Sequence, residues 1–491
     1  MHTVEGLSKP SARFSLNHIF FDSLLDRLSE FSLALEPVRS QRPSIAPNNQ
    51  VFLGKIYTQF YPTVETVEAM LVSNNKVVIL GSHHDVQRYV ARLDINVRYQ
   101  YLGEEQVLCP GFIEPNMNLV ISAMLQQWSH IGPFGFDCGW QKLMPNYGLN
   151  YIARALLYLD KGLKPKDWLL GYGLYSVLLD ESAQTSQHNV YELIQQVCID
   201  RPVAILDATS AIAYVNDSAL EAIYAYLENH AANPFSSKAI FFDLVRRQNG
   251  LLNEQLVWLV EALPEDQLRR QLMNMFAQID SLIERARSSG ITHIGTIDSH
   301  PFARKVLTQY QQTNPAINLV EPKHSWLQEL NSLACLSTHH QAVQPAANRS
   351  IAINIGEVGY CGYDWVKSYH GQSMLQPCQQ LMEQGYNVCL QSGFPVLPLS
   401  PLRAAEQACS RMMEYAPGCY TRDERVLLPD QCLSKPQSLN AITKAAADHL
   451  GFNLGILKEG DTANFVHLSA DPLAKSSNFR ELAVVACYAH Q

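Results

Sequence analysis

Cys109-Pro110-Gly111-Phe112-Ile113-Glu114-Pro115-Asn116-Met117-Asn118 divides the chain into two textures. Before it, VFLGKIYT (51–58), VEAMLVSNNKVVILG (67–81) and NVRYQYLG (96–103) are apolar runs bounded by turn residues, which read as strands. Asn74-Asn75, between two such runs, predicts a hairpin turn. After Pro110, helical segments alternate with short apolar runs: PVAILDAT (202–209), ITHIGTI (291–297), INLVEP (317–322), SIAINIGE (350–357) and YNVCLQSG (386–393). The longest helical segment, 266–290, stops at Gly290 directly before a strand. Alternation of this kind predicts parallel β/α units. Strand character returns in ILKEGDTANFVHLS (456–469), after the helical LNAITKAAADHLG (439–451). An amphipathic helix is expected over SLNHIFFDSLLDRLSEFSLAL (15–35), followed by the polar linker 41–50.

The composition bounds the class. The chain has 491 residues, 47% hydrophobic and 17% charged, which excludes a disordered or collagen-like polymer and suits a barrel plus a smaller partner domain. Net charge is −9 and there is no basic block, so a nucleic-acid binder relying on phosphate contacts is excluded. Eleven scattered cysteines without a C-x-x-C pair read as reduced, buried thiols, not a disulfide framework or zinc ribbon. The N-terminus lacks the pattern of a secretory signal, and the most apolar uncharged stretch, Trp168 to Leu179, is too short to cross a bilayer. A cytoplasmic protein with no nucleic-acid or membrane partner is expected.

LGKIYT (53–58), the hairpin at 67–86 and CPGFIEPNMN (109–118) together resemble the opening of the amidohydrolase superfamily. Within it, the chain is most similar to the family-3 branch of metal-dependent hydrolases, which attack non-peptide C–N bonds. The resemblance continues through WLLGYGLYS (168–176), AYVNDSAL (213–220), RRQNGLLNE (246–254), SSGITHI (288–294), QSGFPVLPLSPL (391–402) and LGILKEGDTANFVHLSADPL (454–473). It implies an α/β chain: a distorted or truncated (β/α)₈ TIM-like barrel plus a small β-sandwich built from both chain ends. The expected boundaries are an N-terminal extension over 1–50, a composite sandwich from 51–108 and 425–491, and a barrel over 109–424. Intact members use one or two divalent metals, typically zinc, to lower the pKa of a bound water and polarise the scissile carbonyl.

The positions that would hold the metal are substituted. The family's His-x-His falls on Asn116 and Asn118, and neutral amides are poor zinc ligands. No His-x-His occurs elsewhere in the chain. The aspartate at the end of the last barrel strand falls on Gly393, which can neither bind a cation nor accept a proton. Where the family commonly has Gly-Trp-Asp, this chain has Gly173-Leu174-Tyr175, and a further family histidine falls on Ala211. The span from Gly290 to Gly393 is short and offers no match to the family's carboxylated lysine. His324 is a candidate retained strand-end histidine. The resemblance therefore implies a chain with no resident metal.

Other candidates have plainer readings. The adjacent pairs His83-His84 and His339-His340 would point to opposite faces of a strand and read as surface or turn residues. Asp298 and His300 could line the barrel mouth, although a helix N-cap at Asp298 or Ser299 is the simpler assignment. Ser392 lacks a G-x-S-x-G context. Tyr172, Trp326 and Trp365 read as core aromatics before ligand-stacking ones. Gly356-Glu357-Val358-Gly359 lacks the spacing of a phosphate loop.

Function follows as an expectation. The first reading is a catalytically impaired pseudoenzyme that binds a small polar molecule in the barrel mouth, with Asn116, Asn118 and Gly393 lining the former metal site. The alternative is an active hydrolase of non-peptide C–N bonds using ligands that do not align. A third is an interaction protein whose N-terminal helix docks a partner. Relatives with this fold are often dimers, so the resemblance admits a homodimer.

Overall fold

The computed structural model describes residues 18–31, 49–134, 144, 147–175, 178–179, 183–198, 200–208, 212–230, 233–252, 256–298, 300–313, 319–320, 350–369 and 375–490. Both ends of the chain contribute to one seven-stranded sheet. Five strands come from the start: Asn49–Gln59, Glu65–Ser73, Lys76–Gly81, Arg98–Tyr101 and Val107–Pro110; two come from the end: Phe465–Leu468 and Val484–Tyr488. Phe465–Leu468 runs antiparallel to Val107–Pro110, placing Val466 opposite Cys109. Apolar contact explains why the ends meet. The Phe465 ring stacks on Tyr488 at 4.3 Å and meets Phe52 edge-on at 5.1 Å. The expected turn is present, with Asn74 and Asn75 at φ 49° and 63° joining Ser73 to Lys76.

Between these halves lies a mixed α/β core. Phe112–Met117 and Leu319–Val320 flank Ile291–Thr296, all parallel. Ser129–His130, Leu169–Leu174 and Val203–Asp207 form a second parallel set, and Ser350–Ile353 with Asn387–Leu390 a third. Parallel strands alternating with helices are the TIM-barrel type of arrangement. The packing is close. A Cβ at Gly111 would sit 2.4 Å from the Thr292 side chain, so only glycine lets the first of these strands lie against Ile291–Thr296. Ala213–Val215 adds an antiparallel strand beside Val203–Asp207. One local expectation needs correction: the segment 266–290 is not one helix. It breaks at Asn274 into Glu265–Met273 and Met275–Ser288, each burying its own apolar face.

The N-terminal helix His18–Ser29 belongs to the main core. Phe20, Phe21, Leu24, Leu25 and Leu28 are all buried, in one cluster with Trp128, Leu259 and Phe276. Its polar face is tied down as well. Arg27 donates to the carbonyls of Val260 and Leu263 at 2.6 and 2.9 Å, and Asp26 lies 3.1 Å from the His300 ring. Its apolar stripe is therefore a core-docking face. No helix among the described residues is long and apolar enough to cross a membrane.

Candidate functional site

In a barrel-type fold the chemistry sits at the C-terminal ends of the strands. Four neighbouring strand ends form an arc here. Strand Ser350–Ile353 ends at Asn354, and its partner Asn387–Leu390 runs on into Gln391, Ser392 and Gly393. That second strand is tied to Phe112–Met117 through Glu114, whose two carboxylate oxygens accept the Ser392 amide at 3.2 and 3.3 Å. The Asn116 backbone N–H also faces this carboxylate and favours its charged form. Ile297 then donates to Met117 across the next strand pair at 3.1 Å, which brings Asp298 to the start of helix Leu119–Leu125. Burial pushes the Glu114 carboxyl up to about 7, against the opposing pull of the Ser392 and Asn116 bonds. Asp298 is likewise raised to about 7 by burial, although amides at the start of helix Leu119–Leu125 donate to it.

Asp298 is a cap, but for another helix than the one expected. Its Oδ2 accepts from Leu119 at 2.8 Å and Val120 at 3.4 Å, while Asn118, at the capping position of that helix, makes no side-chain cap bond. Asp298 thus satisfies donors that Asn118 leaves open.

Gly393 has φ +78°, and a Cβ built there would lie 2.5 Å from Asn354 Oδ1 and 2.9 Å from its Nδ2. Asn354 fills the space that an aspartate at 393 would enter. On the other side of the strand ends, aromatic rings stack in series: Tyr175 on Tyr360 at 4.3 Å and Tyr360 on Phe134 at 5.0 Å. The Arg403 guanidinium lies 4.9 Å from the Phe134 ring centre. Arg403 is itself buried and donates to Glu414 at 2.5 Å, where Arg480 also donates at 2.8 Å. Burial pushes the Glu414 carboxyl up, but the two guanidinium charges overcome it and hold the group below the usual carboxylate range.

The zinc implied by the resemblance does not fit this donor set. Asn116 and Asn118 offer amides and Gly393 offers no side chain, whereas zinc takes imidazole, thiolate or carboxylate. Among the described residues, no three His, Cys, Asp or Glu side chains gather as a metal-holding group. His324, Trp326, His339-His340 and Ala211 lie outside the described residues. His83 and His84 are exposed, but they open helix His83–Leu93 and do not lie on a strand. Tyr172 and Trp365 are buried in two apolar clusters, as core aromatics. None of the nine cysteines described is joined in a disulfide.

The sequence reading passed over Glu114, Asn354, Gln391 and the Tyr175–Tyr360–Phe134 stack. Gln391 carried a signal, since it directly follows the last apolar residue of an expected strand. Glu114 carried one too, as an acid inside an otherwise apolar run. The stack joins three distant segments and had none.

Comparison with known proteins adds the lineage. The Amidohydrolase family profile matches residues 316–487. Among solved structures, the uncharacterized metal-dependent hydrolase of Pyrococcus horikoshii aligns at TM-score 0.54 and 13% identity, covering 88% of this chain and 99% of that one. The uncharacterized metal-dependent hydrolase of Pyrococcus furiosus aligns at TM-score 0.51 and 14% identity, covering 87% and 100%. At such identity the likeness is one of fold. None of the curated proteins compared with the chain matches it. The profile covers the C-terminal third and the fold is shared over most of the chain: residues 316–487 match the amidohydrolase family, and the chain as a whole is similar in fold to metal-dependent hydrolases.

Proposed function

We propose that this protein keeps the amidohydrolase fold but has lost its hydrolytic metal centre, and that it acts by binding a small polar molecule at the strand ends. The observation that carries this reading is the fit of Asn354 against Gly393. The last-strand position has lost its carboxylate, and its Cβ site lies only 2.5 Å from a neighbouring amide oxygen. A side chain filling that space makes the loss more than a single reversible substitution. Asn116 and Asn118 supply hydrogen-bonding groups at the same rim, as a ligand site needs. Elemental analysis of protein purified without chelators tests the reading. Well under one equivalent of any transition metal is expected, and stoichiometric zinc, iron or manganese would overturn it.

One observation favours active hydrolysis of a non-peptide C–N bond. Glu114 and Asp298, on adjacent strands, both titrate near neutrality, as groups that exchange protons in catalysis do. Turnover of amide and ureide substrates that survives chelation and is lost in Glu114→Gln would support this reading over the first.

A further inference from the structure

Four buried side-chain atoms on the arc have no hydrogen-bond partner among the described residues: Asn354 Oδ1, Gln391 Oε1, Asn116 Oδ1 and Asp298 Oδ1. All four are oxygens. Asn354 and Asp298 are only 8% and 7% exposed, so bulk water does not complete them. Buried polar groups are almost always paired, and an orphan costs about 1–3 kcal/mol. Several such oxygens on neighbouring strand ends are left open to a donor that no other described residue supplies.

The atoms are neighbours by register. Ile353 pairs with Leu390, so Asn354 stands beside Gln391. Ser392 is bonded to Glu114, two residues before Asn116, and Asp298 accepts from Leu119, three residues after Asn116. Within Asp298 the two oxygens differ: Oδ2 serves the amides of Leu119 and Val120, and Oδ1 has no partner.

We propose that the strand ends bind a small organic cation with several N–H donors, an ammonium or amidinium group, held by Asp298 Oδ1 and the amide oxygens of Asn116, Asn354 and Gln391. This rests on the reading of the rim as a ligand site and adds the chemistry of the ligand. An anion would meet only lone pairs at these atoms. A neutral amide would donate fewer hydrogens and gain nothing from the carboxylate, whereas charge-assisted bonds are roughly twice as strong as neutral ones.

Titration calorimetry of the full chain at pH 8.5, where the Asp298 carboxyl is ionised, with acetamidinium, acetamide and acetate tests the assignment. Acetamidinium is expected to bind at least tenfold more tightly than acetamide, with no binding of acetate. Asp298→Asn and Gln391→Leu should each weaken acetamidinium at least fivefold. Should Asp298→Asn fail to fold, because it caps a helix, Gln391→Leu carries the test alone. Acetamide or acetate binding as tightly as acetamidinium would overturn the charge assignment and leave a ligand-binding rim standing. Acetamidinium binding that Gln391→Leu leaves intact, or no binding by any probe, overturns the inference. Stoichiometric transition metal in the purified protein would instead remove the reading beneath it.

Discussion

The Glu114 carboxylate accepts the Ser392 amide with both oxygens, at 3.2 and 3.3 Å, and so ties the strand Phe112–Met117 to the end of Asn387–Leu390. Replacing it with alanine removes both acceptors and leaves the buried Ser392 N–H without its partner. Glu114→Ala should destabilise the fold by about 1–3 kcal/mol, the cost of an unsatisfied buried group. Urea denaturation at pH 6 measures this, and an unchanged midpoint would show that the tie contributes nothing.

The pH dependence has a definite sign. Glu114 and Asp298 both titrate near 7 in the folded chain because burial disfavours their charged forms. Their unfolded values are about 4.3 and 3.9, so between roughly pH 4 and 7 the folded state holds more protons. Their contribution is fully present below the unfolded values and is lost as pH rises through about 7. The asparagine in Asp298→Asn is neutral at every pH. Comparing it with the parent at pH 5 and pH 8 should therefore give a smaller fall in stability across that window, and an identical fall would exclude the assignment.

Gly393→Asp probes the filled space directly. A φ of +78° disfavours any side chain, and the Asn354 amide stands 2.5 Å from the new Cβ. Strain and overpacking together should cost about 1–3 kcal/mol. Asn354→Gly in the same chain should recover part of the loss, with a coupling of about 0.5–3 kcal/mol in a double-mutant cycle. Additive effects would mean the two positions do not compete. Asn116→His, Asn118→His and Gly393→Asp combined should not yield a robust metal-dependent hydrolase. Efficient turnover by that triple variant would show that the remaining ligands were present all along.

The N-terminal helix gives a third kind of expectation. Leu24 and Phe20 are buried against the main core. Leu24→Ala should cost about 2–5 kcal/mol, as other buried leucine truncations do. Deleting residues 1–45 should give an insoluble or aggregating chain. A soluble, fully stable product that had merely lost a partner would favour the helix as an interaction arm.

Glu414 stands between the guanidinium groups of Arg403, which is buried, and Arg480, which is 14% exposed. Removing one partner of a buried ionic group strands the other charges, so Glu414→Ala should cost about 3–5 kcal/mol. Thermal unfolding would show it as a large fall in midpoint, while a shift like that of an exposed acid would mean the cluster is solvated.

Legibility varied by the range of the interaction. The hairpin at Asn74-Asn75, the Gly290 stop and the strand beginning at Ile291 could be read because each depends on residues adjacent in the chain. The break at Asn274 was not legible, since the apolar spacing runs on across it and only packing decides where the axis bends. Asp298 was legible as a cap but not as the cap of Leu119–Leu125, because the donors it serves are remote in sequence. Asn116, Asn118 and Gly393 were found through motif order. Asn354, which fills the space at Gly393, lies on another strand and has no local signature.

By itself the amino-acid order determined the alternation of strands and helices and the resemblance that aligns Asn116, Asn118 and Gly393 with the metal-ligand positions of a hydrolase family. Those properties reside in residue type and spacing along the chain. Only the tertiary structure decided how the strands of the two chain ends pair in one sheet, which core the N-terminal helix packs into, and that Asn354 stands against the Cβ position of Gly393. It also decided which buried oxygens are left without donors. Each of these depends on which surfaces exclude water together, and that is settled by long-range packing between segments far apart in sequence.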